Sequence, residues 1–499
     1  MTTDFPFTAL KSSSDIFSFV DSEIRKLEPN LVLLSLVLGS VEDGVCSPAA
    51  RTARKRDIGV EPMRDHHSFN GVLPIRRQSI ELPYRQFLFE LRTATNGVEL
   101  RNDDGSARRT AVKFVSDWVW KRLSKAFSKD KPHVQTIYSF MTGKHLDCFG
   151  LALTVAAACQ ELGLSDVHLA LSEDHSWITF GLEGTETAEV TWHGKGNEQK
   201  RGQPIELWSG SWLYLNGHPV ICNRHMEVAA IVNMINPKYD GKREDADLGR
   251  LQQDLLWLLF DAKHLDKYPM GLATLAEYEE FDSTEGRPSP DEIFDLAIRS
   301  SLCHYENALV YPHTLFGSYL YRSLKYKAAL QRWKDAAQVL KHYPYSKGDE
   351  EIFKELREIV TDFIPDMMAD GVDDLATDPH FFALLLTFYD ELCLWETAGP
   401  MPILHSDWAK GLVSAVKRFN GETRKTSATC PVQTLVGSSY TAEPFRLKSE
   451  KMQGLLHTLT VADKVNLSAV RLQLTALPRG IAAATTESQS RKRRHNSSV

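Results

Sequence analysis

At 499 residues the chain exceeds what one hydrophobic core holds, so two to four structural units are expected. Its 42% apolar and 25% charged content is that of a folded protein, and a formal net charge of -7 excludes a surface that is basic throughout and grips nucleic acid as a whole. Seven cysteines without a Cys-x-x-Cys pair give no readable zinc ribbon or disulfide framework, and a reducing compartment fits; no metal or cofactor is expected.

Residues 13–38 read as helix, with Ser13 or Ser14 as the cap and Ile16, Phe17, Val20, Ile24 and Leu27 at helical spacing. The apolar stretch from Leu31 to Leu38 is about half of the ~20 residues that span a bilayer, so it reads as a buried helix and no membrane contact is expected. The N-terminus lacks a secretory pattern, which leaves cytosol or nucleus. Residues 40–82, with the basic cluster Arg51, Arg54, Lys55 and Arg56, read as irregular loop or hairpin. Helical patterning returns over 83–130, with Phe114, Val115, Trp118, Val119 and Leu123.

Cys148 then opens an Ala-rich helix from Leu151 to Leu162, followed by β-like runs at 167–171, 175–180 and 187–192 that complete a small α+β unit. From about 225 to 420 the chain is helical in character, with segments near 225–235, 248–265, 290–306, 311–324, 326–343, 350–367, 379–395 and 403–419. One tetratricopeptide-like unit fits residues 310–343, with Phe316-Gly317, Leu320, Ala329, Trp333 and Ala336 at the small and large positions that let paired helices approach. Residues 420–443 are polar and read as a flexible connection; a further ordered segment runs from Phe445 to Leu477, and the tail carries Arg491, Lys492, Arg493 and Arg494. The expected divisions are therefore 1–100, helical and irregular; 101–222, α+β; 223–396, helical; 397–477, containing the connection; and 478–499, the basic tail.

Three constellations carry chemistry. Cys148, His175 and Glu189 have the thiol, imidazole and carboxylate of a nucleophilic trio, spaced by 27 and 14 residues as helix, strand and strand, which resembles a transglutaminase-like core. Glu351, Glu355 and Glu358 fall at i, i+4 and i+7 and form one acidic stripe on a helix whose other face carries Ile352, Leu356, Ile359 and Val360. Met234, Tyr268-Pro269-Met270, Tyr311-Pro312 and Trp333 stand near helix ends, where they would either join the core or line an apolar pocket. The basic tetrapeptide Arg491 to Arg494 has the composition of a nuclear-import signal.

The runs Asp166-Val-His-Leu-Ala-Leu-Ser-Glu-Asp-His-Ser-Trp177 and Thr187-Ala-Glu-Val-Thr-Trp-His-Gly-Lys-Gly-Asn-Glu198 resemble the menin family. So do Leu31 to Gly39, Leu251-Gln-Gln253, Leu255 to Leu259, Tyr268-Pro-Met270, Asp349 to Ile352 and Ser449-Glu-Lys-Met452, almost from end to end. The likeness is thin over 40–82, and the connection before Phe445 is shorter than the insertion of vertebrate menins.

The resemblance implies a mainly α fold with a small α+β part: a transglutaminase-like core fused to a tetratricopeptide-like helical superhelix around a central cavity. It implies a nuclear scaffold without enzymatic activity that regulates transcription. Its implied ligands are an Arg-, Phe- and Pro-containing N-terminal peptide of the mixed-lineage-leukaemia (MLL) histone H3 lysine-4 methyltransferases and a segment of a JunD-type factor. Lens-epithelium-derived growth factor would join through a composite surface, and the basic tail and 51–56 cluster would make a weak DNA contact. The implied peptide-binding positions are Asp130, Ser172, Asp174, His175, Met234, Asn236, Tyr268, Met270, Tyr311, Trp333, Glu351, Glu355 and Glu358. Ala230, Asn233, Met234, Thr314 and Leu315 depart from the vertebrate pocket, and Cys148 stands where vertebrate menins have lost the thiol. The alternative reading is a cysteine acyl transferase or protease using Cys148, His175 and Glu189.

Overall fold

The structure is a computed structural model that describes residues 10–46, 75–124, 132–192, 198–205, 212–238, 245–343, 350–398, 406–462 and 464–476. The basic cluster at 51–56, Asp130 and the tail at 491–494 lie outside the described residues. Chain contacts divide the protein into two compact units: unit 1 comprises 1–206 and 219–296, and unit 2 comprises 207–218 and 297–499. The helical stretch expected over 223–396 is thus shared between both. Among the described residues no helix is long and apolar enough to cross a membrane.

In unit 1 the expected helix over 13–38 is two helices, α1 (Ser13–Ile24) and α2 (Leu31–Cys46). The break contains Pro29, whose ring cannot continue a helix. Ser12, not Ser13 or Ser14, is the cap, and it exchanges bonds with Asp15 in a capping box. The helix α2 is buried nearly all round and packs against α3 (Arg77–Thr95), α5 (Ile137–Gly143), α6 (Cys148–Glu161) and α7 (Arg224–Asn233). Between α3 and α5, α4 (Arg109–Trp120) lies along α6. The sheet is antiparallel, in the order β3 (Glu186–Ala188), β2 (Ser176–Phe180), β1 (His168–Leu171), β4 (Val220–Ile221), and α6 covers β2. The third run is three residues long rather than the six expected, because beyond Ala188 the chain bonds to Gly202 and Gln203 instead of to β2.

Two more helices complete this unit, α8 (Ala246–Asp261) and α9 (Pro269–Phe281), before α10 (Pro290–His304) carries the chain across the boundary. The helix α9 is absent from the segments expected from sequence. Pro269 marks its first turn, where a missing N–H costs nothing.

Unit 2 is built on the pair α11 (Tyr311–Arg322) and α12 (Tyr326–Leu340), with α15 (Pro379–Ala398) against α12. The expected helix over 350–367 is α13 (Glu350–Glu358), a π-helical turn Ile359–Phe363, and α14 (Ile364–Asp370). There follow α16 (Ser406–Val416), α17 (Gly421–Ser427), the hairpin β5 (Pro431–Val436) and β6 (Ser439–Pro444), α18 (Glu450–Thr460) and α19 (Leu467–Thr475).

The flexible connection expected at 420–443 is therefore corrected: it folds as α17 and a β-hairpin. Its polar composition hid two local signals, the Asn420 cap and the two-residue Gly437-Ser438 turn, where Gly437 takes a positive φ of 57°. The hairpin docks on α12, where Arg332 donates to Tyr440 Oη at 2.9 Å and Lys334 donates to the Gln433 carbonyl at 3.1 Å.

Candidate functional site

The first constellation converges in unit 1. Asp147 caps α6 by accepting from Gly150 N–H at 2.8 Å, which fixes Cys148 as the first helical residue. The helix start lies against the loop before α5: a Cβ on Gly150 would come within 2.7 Å of the Val134 carbonyl, and Gln135 donates to the Asp147 carboxylate at 2.8 Å. Cys148 is only partly buried, and its sulfur lies 4.0 Å from the Asp174 carbonyl.

His175 ends the turn between β1 and β2. Ser172 N–H donates to the His175 carbonyl at 2.9 Å, and His175 N–H donates to Ser172 Oγ at 3.0 Å, so Ser172 locks the turn that aims the imidazole. His175 Nε2 and Glu189 Oε2 are 2.9 Å apart, with side chains 11% and 5% exposed. The other oxygen of Glu189 accepts from Thr191 N–H at 2.8 Å and from its hydroxyl at 2.6 Å. Ser116 and Trp120 of α4 both donate to the Val190 carbonyl, which holds this strand extension in place.

Burial alone would depress the basicity of His175, but its hydrogen bonds to Cys148 and Glu189 and the Glu189 charge outweigh it and carry the imidazole up to about 10. Burial likewise opposes ionisation of Glu189, yet the bonds to His175 and Thr191 bring its carboxyl below the ordinary range. His175 and Glu189 thus form a bonded imidazole and carboxylate pair, with the Cys148 sulfur beside the turn that carries the histidine.

A second group in unit 1 gathers at the end of α7 and the start of α9. Tyr268 is fully buried, its hydroxyl accepts from Asn233 Nδ2 at 3.4 Å, and Met234, Asn236 and Met270 are half-buried. Asn236 N–H donates to Glu42, which also meets His133 at 2.7 Å.

The remaining expected positions lie in unit 2. Trp333 is fully buried, donates to the Thr314 carbonyl at 3.3 Å, and stacks on Phe363 at 5.7 Å. Tyr321 joins this cluster, 4.7 Å from Phe363 and 6.0 Å from Trp333. Tyr311 is half-buried and meets Trp212 edge-on at 5.7 Å.

On α13, Glu351 and Glu358 are exposed and Glu355 is half-buried. Burial raises the Glu355 carboxyl above the ordinary range and the neighbouring Glu358 charge adds to this, against a hydrogen bond with Thr314 that lowers it. The acidic stripe therefore meets the aromatic cluster through Thr314. Phe363 escaped the sequence reading because the π turn after α13 advances the chain by an extra residue, which helical periodicity does not foresee. Among the described residues no group of three or more His, Cys, Asp or Glu side chains is arranged to hold a metal ion.

A family model described as Menin matches residues 1–435. Among solved structures, one described as the crystal structure of menin revealing the binding site for Mixed Lineage Leukemia (MLL) protein is 41% identical, with a TM-score of 0.81. The match covers 95% of this chain and 100% of that one.

Proposed function

This chain belongs to the menin family, and on that premise we propose that it is an adaptor for a short cationic, aromatic-bearing peptide of an MLL-family histone methyltransferase. The observation that carries the reading is the bridge from Glu355 to Thr314 and from Thr314 to Trp333 in unit 2. A half-buried carboxylate beside a second one is unfavourable until a cation arrives, and a guanidinium meets that need with charge-assisted hydrogen bonds. Tyr311 and Leu315, both half-buried on the same helix as Thr314, supply apolar surface for the peptide's Phe and Pro. Met234, Asn236, Tyr268 and Met270 enter the proposal as further residues whose substitution changes peptide affinity.

The same reading gives a nuclear, transcription-regulating scaffold. Its further ligands are a JunD-type segment and, through a composite surface, lens-epithelium-derived growth factor, with a weak DNA contact through the basic tail. It treats the α6 and sheet assembly as a transglutaminase-like core and the α11 and α12 pair as a tetratricopeptide-like repeat. Peptide capture needs no chemistry from the protein.

Calorimetric titration with an Arg-Phe-Pro-type peptide tests it. Binding should weaken with salt, and Glu355→Ala combined with Glu358→Ala should lower affinity roughly tenfold, about 1.4 kcal/mol, and flatten the salt dependence. Absence of binding, or affinity and salt dependence unchanged in the double variant, overturns it.

A further inference from the structure

Unit 2 holds a cavity none of whose lining residues is used in capturing the arginine-bearing peptide. Its volume is about 590 Å³, and it is walled by residues 216–218, the loop 306–308 between α10 and α11, the C-terminal end of α12 and the tip of the β5–β6 hairpin. Ligand sites run from roughly 300 to 1,000 Å³, so its size is sufficient for one. Two carboxamides in the wall have their oxygens taken by buried side chains. Lys334, 1% exposed, has only protons to offer, so its Nζ meets the Gln338 Oε1, at 3.2 Å. Asn307 Oδ1 lies 2.9 Å from Nε2 of His313, a fully buried ring. Burial pushes His313 down to about 3, so the ring is neutral and carries its one proton toward that oxygen. The amide nitrogens of Gln338 and Asn307 are left as donors, and neither makes a hydrogen bond among the described residues.

The loop that carries Asn307 is held firmly. Asn307 N–H donates to the Ser301 carbonyl at 3.0 Å, and the Ala308 carbonyl accepts from Tyr343 Oη at 2.8 Å. Glu306 and Asn307 take positive φ of 50° and 58°. Asparagine tolerates that backbone, whereas glutamate rarely adopts it, and the strain falls where both residues line the cavity. The rest of the wall sets the charge of a ligand. It contains no Lys or Arg, and burial holds His342 below its ordinary range, so that ring is neutral at physiological pH. Glu306, with its side chain 80% exposed, stands 3.6 Å from His218. A phosphate or carboxylate would therefore meet a negative charge and no lysine or arginine. Neutral acceptors suit the two amides, and a cation suits Glu306.

We propose that this cavity is a second peptide site, for an extended segment whose main-chain carbonyls accept from Asn307 and Gln338 and which carries a lysine or arginine against Glu306. An extended chain repeats a carbonyl and a side chain about every 3.3 Å, so one short segment supplies neutral acceptors, an apolar side chain and a cation together. Leu302, Val339 and Leu435 of the same wall take the apolar side chain. Lys334 ties the parts of the site to one another, because it holds Gln338 and also the Gln433 carbonyl of the hairpin whose tip closes the cavity. The amides are thus set before any ligand arrives, which lowers the ordering cost of binding.

The test is ligand-observed saturation-transfer NMR on the full chain with two blocked peptides, acetyl-Ala-Val-Ala-Lys-Ala-amide and the same peptide with Glu in place of Lys. The lysine peptide should take up saturation, most strongly at its valine methyls, and the glutamate peptide should not. Glu306→Lys changes an exposed side chain, so the fold tolerates it, and it should reverse the preference between the two peptides. Gln338→Met keeps the side chain's length and removes the amide, so affinity for the lysine peptide should fall about fivefold. Should Gln338→Met fail to fold, the reversal by Glu306→Lys still decides. Absence of saturation transfer to the lysine peptide at millimolar concentration overturns the proposal. So does binding that Glu306→Lys leaves unchanged, which would put the peptide elsewhere on the protein, and so does unaltered affinity in a folded Gln338→Met.

Discussion

Gly317 on α11 packs so closely against Trp333 on α12 that a Cβ at Gly317 would lie 2.4 Å from the indole Nε1. That approach seats the indole under Thr314, and so sets the wall on which Glu355 bears. Gly317→Ala should therefore overpack the helix pair and cost about 1–3 kcal/mol in denaturant unfolding. Stability equal to wild type would show that the pair has slack the geometry does not reveal.

Glu355 illustrates a site residue that works against the free fold. Because its carboxyl is raised by burial and by Glu358, the folded state holds a proton that the unfolded state releases, between the ordinary value of 4.5 and the raised one. Its contribution to stability hence declines as pH climbs through that window. Glu355→Gln should gain a few tenths of a kcal/mol at neutral pH while weakening binding of an arginine-bearing peptide. Thermal unfolding and peptide titration on the same variant check both signs; loss of stability at neutral pH would contradict the first.

The His175 and Glu189 pair makes the opposite kind of statement. The histidine's folded value is raised from 6.5 to about 10, so its stabilisation is fully present below 6.5 and disappears as pH rises through about 10. The glutamate's is lowered from 4.5, so its stabilisation is present above 4.5 and disappears as pH falls through the depressed value. Glu189→Gln should cost about 3 kcal/mol near pH 6, and the difference from wild type should shrink as pH rises through about 10. Melting curves collected against pH for both would expose a constant offset, which this account does not allow.

Deep in unit 2, Lys451 of α18 pairs with Glu396 of α15 and also donates to the Leu474 carbonyl at 2.7 Å, joining three helices. Lys451→Met strands a buried carboxylate and should cost about 3–5 kcal/mol, whereas adding Glu396→Leu should restore most of it. A double variant as unstable as the single one would mean that the carbonyl contact, not the ion pair, carries the junction.

Much of the fold is legible in the sequence alone. Leu31 to Leu38 is apolar on every face, and the helix it forms is buried on nearly all of them. The small and large side chains at Gly317, Ala329, Trp333 and Ala336 read as a close helix pair, and α11 and α12 are one. Short local signals are masked by the surrounding composition at three places. Pro269 opens a helix that was not expected, Pro29 divides one that was, and the polar stretch at 420–443 conceals a capped helix and a hairpin.

The sequence by itself determined which residue types were available and at what spacing: a thiol at a helix start, a histidine and a glutamate next to strands, and three glutamates on one helical stripe. Periodicity and capping are local, so a single chain displays them directly. Only the tertiary structure decided that His175 and Glu189 bond, that Ser172 locks the turn rather than standing apart from it, and that Phe363 closes on Trp333. Those outcomes depend on how strands register and where a helix takes an extra residue in its turn, and both are settled by burial and packing across long separations rather than by neighbours in sequence.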